Sequence, residues 1–125
     1  RRQAIPVSYE TGIAALEGPQ DSVDAMVRAF DQRRSVIVDR LNALPGFRCA
    51  RPGGAFYAFP NIEGTGLGSR QLQDALLAEA GVAVISGTSF GVYGEGYLRF
   101  SYAASIDAIE TAMRRIGGFL SDRAA

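Results

Sequence analysis

One long amphipathic segment, bounded at both ends by Gly/Pro pairs, limits the folds that are open to this chain. Between Asp21 and Leu44, apolar residues recur at helical spacing with charged residues mostly between them. Gly18-Pro19 precedes the segment and Pro45-Gly46 follows it, and proline cannot continue a helix. Asp21 is of a residue type favoured at an N-cap. The pattern therefore predicts a long helix that is capped by Asp21 and packs one apolar face on other elements.

The remaining segments show helix and strand patterns in turn. One helix is predicted over 8–17, another begins with Ser69 as N-cap and stops at Gly81, and a last one is capped by Ser105. Short apolar or alternating runs predict strands at 47–49, 55–59, 82–85 and 97–102. This order predicts the α+β class, with one two-layer domain over residues 1–125 in which a small, mainly antiparallel sheet packs against helices.

Composition excludes several kinds of catalytic site. The chain contains no histidine, and all 13 of its basic residues are arginine. Without histidine there is no Ser-His-Asp or Cys-His pair and no zinc site of the usual Cys/His kind, and without lysine there is no Schiff base. We therefore expect no catalytic side chain and no metal site within these residues.

Charge and cysteine content indicate which partners and which cellular compartment to expect. A formal net charge of +0 gives no electrostatic reason to expect a nucleic acid or an anionic membrane as partner. No uninterrupted apolar stretch is long enough to span a bilayer. The lone Cys49 cannot form an internal disulfide, which favours a reducing, cytoplasmic location.

Two glycine-rich loops, 64–68 and 86–96, invite a nucleotide-binding interpretation that their spacing does not support. The first departs from the G-x-G-x-x-G fingerprint, since Ser69 follows Gly68 directly. The second has no lysine to reach a phosphate and no helix directly behind it. Both are interpreted as turns.

Arg99 is the polar residue of the last predicted strand that is best suited to bind a ligand. Alternation places Leu98 and Phe100 on one face and turns Arg99 to the other. A planar guanidinium on a strand that follows a glycine-rich loop suits two-pronged binding of a carboxylate. Considered without other context, Arg99 is better explained as a solvated surface arginine or an ion-pair partner, since arginines are mostly exposed.

Three motifs, in this order, resemble the C-terminal small domain of the fold-type I, pyridoxal-phosphate-dependent aminotransferases of class I/II. The similarity is closest to the bacterial aspartate aminotransferase branch. It covers nearly the whole chain and includes the Met-x-x-x-Phe-x-x-Arg-Arg pattern of the long helix. The motifs are Pro-Gly-Gly-Ala-Phe-Tyr-Ala-Phe at 52–59, Ala-Gly-Val-Ala-Val-Ile-Ser-Gly-Thr-Ser-Phe-Gly at 80–91, and Gly-Glu-Gly-Tyr-Leu-Arg-Phe-Ser-Tyr-Ala-Ala-Ser at 94–105.

The resemblance implies roles for two residues. The family's arginine on this strand, which matches Arg99, forms a two-pronged salt bridge with the α-carboxylate of the amino-acid substrate. The first aromatic of the Gly-Ala-Phe-Tyr motif, Phe56, lies near the substrate pocket in some members, although burial in the core would explain it equally well.

The resemblance also implies a longer chain. In the family, the Schiff-base lysine, the aspartate that pairs with the pyridine nitrogen and the phosphate-binding residues belong to a large domain, which would lie upstream of Arg1. We therefore expect a fragment that is inactive alone. The whole enzyme would be a homodimer that binds pyridoxal 5'-phosphate and transfers an amino group from an amino acid, aspartate or glutamate or a broader set, to a 2-oxo acid.

Three alternatives stay open from the sequence. One is another fold-type I enzyme on the same scaffold, such as an aromatic or branched-chain aminotransferase or a β-lyase, since the α-carboxylate site is shared. The second is a ligand-sensing domain of a transcription regulator. The third is a free-standing module that binds a carboxylate.

Overall fold

The computed structural model describes the backbone of residues 4–124 and the side chains of residues 8–123. Its described part contains four helices and three short strands. In chain order these elements are α1 (Ala4–Glu17), α2 (Asp21–Ala43), β1 (Tyr57–Ala58), α3 (Ser69–Ala75), β2 (Ile85–Ser86), β3 (Leu98–Ser101) and α4 (Ile106–Ala124). A π-helical turn, Leu76–Ala80, extends α3, and 3₁₀ turns lie at Glu63–Thr65, Gly87–Phe90 and Val92–Gly94.

The strands form one antiparallel sheet with β3 in the centre and the order β1-β3-β2. Tyr57 pairs with Ser101 on one side, and Ile85 pairs with Arg99 on the other. Directly paired residues point to the same face of an antiparallel sheet. The sheet therefore has a face that carries Tyr57, Ile85 and Arg99 and an opposite face that carries Leu98 and Phe100.

Helices cover the face of Leu98 and Phe100 and so make the second layer. Ile37 and Leu41 of α2, Leu98 of β3 and Ile116 of α4 are almost completely buried in one core. Together with the antiparallel sheet, this arrangement confirms the predicted α+β class. No helix in residues 4–124 is long and apolar enough to cross a membrane.

The predicted C-terminal ends of the first three helices are confirmed, whereas the first helix begins at Ala4 and not at residue 8, and two of three predicted N-caps are wrong. Gln20, not Asp21, occupies the N-cap of α2, because its carbonyl accepts the Asp24 N–H at 3.0 Å. Gly68, not Ser69, caps α3, because its carbonyl accepts the Leu72 N–H at 2.9 Å. The Ser69 hydroxyl instead binds a neighbouring loop. Ser105 does cap α4, with its Oγ accepting the Ala108 N–H at 3.2 Å.

The strands are shorter than the sequence pattern predicts. The predicted strand 47–49 is reduced to one bridge, Arg48 with Asn61, and β1 and β2 have two residues each. A residue counts as strand only where a neighbour pairs with its backbone, and the apolar run before β2 has no such neighbour in the described sheet. Two residues before β1, Ala55 lies in the left-handed region at φ 58°, which interrupts the extended chain.

The first half of α2 is not covered. Its helical periodicity places Val23, Met26 and Val27 inward, yet Val27 is 60% exposed and the other two are exposed as well. The first contacts of α2 with the rest of the core are made by Phe30, whose ring lies 6.3 Å from that of Tyr102, so the three residues before it have no layer to pack on. Ile106, which the pattern of α4 also turns inward, is partly exposed at the start of its helix.

Candidate functional site

The sheet face opposite the helices carries Arg99 at its centre. Leu98 and Phe100 are buried on either side of it along β3, and Arg99 is half-buried. This is the orientation that the alternation of the strand predicts. The backbone of Arg99 is fixed because the residue pairs with Ile85 of β2 within the central strand.

Two aromatic rings flank the guanidinium of Arg99. Its Cζ lies 4.4 Å from the ring centroid of Tyr57 and 4.5 Å from that of Phe90. Tyr57 belongs to β1, and Phe90 ends the 3₁₀ turn that follows β2, so the rings come from the two sides of the central strand. A cation over a ring face is attracted by the quadrupole of the ring. We call Tyr57 and Phe90 the aromatic clamp.

Arg99 has no acidic partner within the described residues. Four other arginines, Arg34, Arg40, Arg51 and Arg123, each lie within ion-pair distance of a carboxylate of this chain, and Arg99 is not among them. The N–H donors of a guanidinium lie in its plane, and Cζ of Arg99 lies over the rings of Tyr57 and Phe90. Among residues 8–123, then, no carboxylate of the protein competes for the N–H edge of Arg99.

More rings extend this aromatic surface. Phe59 lies 5.5 Å from Tyr97 in a stacked arrangement and 6.1 Å from Phe90 in an edge-to-face arrangement. Phe90 itself is 54% exposed. The surface around Arg99 is therefore apolar and lies on the uncovered side of the sheet.

The loop that carries Phe90 is held firmly. The Gly87 N–H donates to the Tyr97 carbonyl at 2.8 Å, and the backbones of Gly87 and Gly94 touch so closely that neither position has room for a Cβ. The buried Ser69 hydroxyl accepts the N–H groups of Gly96 and Tyr97 at 2.8 and 3.1 Å. Residues 86–96, predicted only as a turn, are thus two ordered 3₁₀ turns tied to α3 and β3.

Phe56 lies beside the clamp but faces a different cavity. Its ring is 4.4 Å from the ring of Tyr57 and 6.0 Å from that of Phe30. It is partly exposed and lines an apolar cavity of about 380 Å³. Val23, Met26 and Val27 of α2 line the same cavity, and Arg99 does not.

Three hydrogen bonds anchor the segment before β1. Arg34 Nη1 donates to the Pro52 carbonyl at 3.0 Å, and the Tyr102 hydroxyl donates to the Ala55 carbonyl at 2.9 Å. The Tyr102 N–H donates to the Phe56 carbonyl at 2.9 Å. Burial raises the pKa of Tyr102 above its ordinary value, so the phenol keeps the proton that it donates.

The sequence predicts the orientation of Arg99, which the structure shows, but it predicts neither clamp residue as a neighbour of Arg99. The signal for Tyr57 was available in principle, because it alternates with Ala58 in a predicted strand. Its contact with Arg99 depends on the strand register, which the short strands do not reveal. Phe90 lies in a glycine-rich loop with no periodicity, and only the folded loop brings it to Arg99.

Comparisons with known proteins relate the chain to one family. The family model described as "Aminotransferase class I and II" matches residues 7–116. An aspartate aminotransferase of Pyrococcus horikoshii is 46% identical over 107 residues, which is 84% of this chain and 27% of that protein. An aspartate aminotransferase of Geobacillus stearothermophilus is 44% identical over 123 residues, or 94% of this chain and 31% of that protein.

A solved structure agrees with the sequence relatives. The crystal structure of an aromatic aminotransferase from Pyrococcus horikoshii superposes with a TM-score of 0.80 at 42% identity, covering 83% of this chain and 28% of that one. The chain therefore spans less than a third of the length of the relatives that it matches.

Proposed function

This chain belongs to the class I and II aminotransferase family, and on that premise we propose that it is the C-terminal small domain of an aminotransferase. The whole protein would transfer an amino group from an amino acid, aspartate or glutamate or a broader set, to a 2-oxo acid. The length of the relatives supports a longer chain, since this one spans only 27% and 31% of two aspartate aminotransferases.

The role proposed for this domain is to bind the substrate α-carboxylate through Arg99. The observation that carries the proposal is a guanidinium at the centre of an uncovered sheet face, with rings on two sides and no acidic partner among residues 8–123. A carboxylate can accept two parallel N–H bonds from the guanidinium edge. Such a fork fixes the orientation of the substrate, so that the bond broken at Cα keeps one direction.

The residues of this chain do not fit the cofactor that the family uses. Pyridoxal 5'-phosphate is attached to a lysine amine, and all 13 basic residues here are arginine. We place the cofactor in the part of the longer protein that precedes these residues, and we assign to this domain only binding and orientation of the substrate. The chain alone is accordingly expected to be inactive.

Two further proposals concern the assembly and its location. The uncovered apolar residues of α2, with the cavity that Phe56 lines, form a surface that the enzyme's own large domain would cover, and a homodimer of whole chains is expected from the family. Phe56 would lie at the edge of the substrate pocket. Cys49 is a free thiol in the structure, and this supports a reducing, cytoplasmic setting.

The experiment uses the full-length protein with bound cofactor. Arg99→Lys keeps the charge and removes the planar fork, and we expect kcat/KM to fall by roughly 30-fold to 5,000-fold, about 2 to 5 kcal/mol. Arg114→Lys is the matched control, because Arg114 is exposed on α4 and its guanidinium donates a hydrogen bond to the Thr111 hydroxyl on the same helix. An unchanged kcat/KM in Arg99→Lys would refute the assignment.

A second measurement separates carboxylate binding from general damage. The wild-type enzyme should prefer an amino acid over the same amino acid with its α-carboxylate converted to a carboxamide, because the amide presents no negative charge to Arg99. Arg99→Lys should lose most of this preference, and Arg114→Lys should keep it. Borohydride reduction followed by peptide mass analysis should find the pyridoxyl group on a lysine outside these 125 residues; no such adduct would favour a regulatory or binding protein instead.

A further inference from the structure

Resting on the proposed role of Arg99, we propose that Tyr57 and Phe90 are positioning residues for substrate binding. They restrict the guanidinium to one position, in which its N–H groups can meet the substrate carboxylate. Neither ring is proposed to touch the reacting atoms.

The geometry of the clamp is the first support. Arg99 Cζ lies at nearly equal distances, 4.4 and 4.5 Å, over the rings of Tyr57 and Phe90, which come from opposite sides of β3. An arginine side chain has several rotatable bonds and loses rotamer entropy when it is fixed. Because the two rings restrict rotation of the guanidinium, this entropy is already lost before a substrate binds, and binding loses less.

The second support is the way the two rings are themselves held. Tyr57 lies in β1, where it pairs with Ser101, and its ring contacts Phe56 at 4.4 Å. Phe90 lies in a turn that begins with the Ser86 N-cap, whose Oγ accepts the Thr88 N–H at 3.3 Å. Its ring also contacts Phe59 at 6.1 Å. Both rings are thus fixed by the sheet and its turn rather than by Arg99 alone.

The third support is the effect of the rings on solvent. The rings of Tyr57 and Phe90 displace water from beside the guanidinium, and among residues 8–123 no carboxylate lies within ion-pair distance of Arg99. A charged hydrogen bond is stronger where water is partly excluded. The clamp would therefore orient Arg99 and also strengthen its bond to the substrate.

The test measures substrate preference in the full-length enzyme with bound cofactor. Phe90→Leu and Tyr57→Leu remove a ring and keep an apolar side chain, whereas Phe90→Tyr and Tyr57→Phe keep a ring. We expect each leucine variant to lower kcat/KM for the amino acid by about threefold to thirtyfold, the range of one cation–π contact. The carboxamide should be affected much less, and the ring-keeping variants should stay near wild type.

The matched control is Tyr93→Leu. Tyr93 lies in the same loop, is 97% exposed and has no recorded ring contact with Arg99. It should keep wild-type kinetics with both substrates. An equal loss in Tyr93→Leu and Phe90→Leu would overturn the proposal, because the effect would then come from the loop in general.

A double-mutant cycle distinguishes failure of the clamp from failure of the proposed function. If Phe90 acts through Arg99, Phe90→Leu should have little further effect in the Arg99→Lys background. If Arg99→Lys abolishes the carboxylate preference and both leucine variants retain it, the clamp proposal is wrong and the role of Arg99 stands. If Arg99→Lys itself retains the preference, the proposed function is wrong, and the clamp proposal falls with it.

Discussion

Ser69→Ala should destabilise the chain, because the hydroxyl of Ser69 ties the loop that presents Phe90 to helix α3. Ser69 is completely buried. Its Oγ accepts the Gly96 N–H at 2.8 Å and the Tyr97 N–H at 3.1 Å, and it donates to the Gly94 carbonyl at 3.5 Å. The substitution removes all three contacts and changes almost nothing else in volume.

The magnitude follows from what each partner has left. The Tyr97 N–H keeps a second acceptor, the Gly94 carbonyl at 3.2 Å, whereas no other acceptor is recorded for the Gly96 N–H among the described residues. A buried N–H without a partner costs about 1–3 kcal/mol, and loss of a normal hydrogen bond adds about 1 kcal/mol. We therefore expect the free energy of unfolding to fall by about 2–4 kcal/mol.

Urea unfolding of the 125-residue chain, followed by circular dichroism, measures this loss. Ser121→Ala is the matched control, because the same hydroxyl is removed from an exposed position where Ser121 Oγ donates only to the Gly117 carbonyl. The control should stay within about 0.5 kcal/mol of wild type. Equal stability of the two variants, at an unchanged dependence on urea, would refute the reasoning, since burial of the Ser69 network would then contribute nothing.

Two other predictions concern Gly94 and Cys49. In Gly94→Ala the new Cβ would collide with the Gly87 carbonyl of the facing turn, so the free energy of unfolding should fall by about 1–3 kcal/mol. In Gly118→Ala the new Cβ lies in open space on α4, so the free energy of unfolding should rise by about 0.5–1 kcal/mol. Urea unfolding measures both, and a change of the same sign in the two variants would contradict this reasoning. Burial raises the pKa of the Cys49 thiol above its ordinary 9.0, so the folded state favours the protonated thiol. Alkylation by iodoacetamide just below that pH, read by mass spectrometry, should be slow in the native chain and fast in urea. The free energy of unfolding should fall as the pH rises through and above 9.0, more than in Cys49→Ala; equal pH dependence would show that the thiol does not titrate differently on folding.

Much of the helical structure could be predicted because its signals are local. The helix ends near Gly18, Leu44 and Gly81 follow from residues that cannot continue a helix or that adopt the left-handed conformation, as Gly81 does at φ 63°. Two N-caps were misplaced by one residue, since a residue type that can cap a helix need not use its side chain for that purpose. Ser69 shows this most clearly, since its hydroxyl serves a loop 27 residues away.

The strands were predicted less well, because a strand is a property of two segments. The apolar run 82–85 has the composition of a strand, but only Ile85 is paired, together with Ser86. Burial of α2 was misjudged for a related reason. Its apolar stripe is continuous, yet the fully buried residues of α2 are confined to its C-terminal third, from Ile37 onward.

For the site, the sequence by itself determined which residue is turned away from the core. Strand alternation depends only on the two-residue period of the backbone, and it placed Arg99 opposite Leu98 and Phe100 without knowledge of any partner. The tertiary structure alone decided what surrounds the guanidinium. Tyr57 and Phe90 are 42 and 9 residues from Arg99 in the chain, and they meet it because β1 and β2 pair with opposite sides of the same strand. Local patterns thus orient a side chain, whereas long-range pairing decides which neighbours it meets.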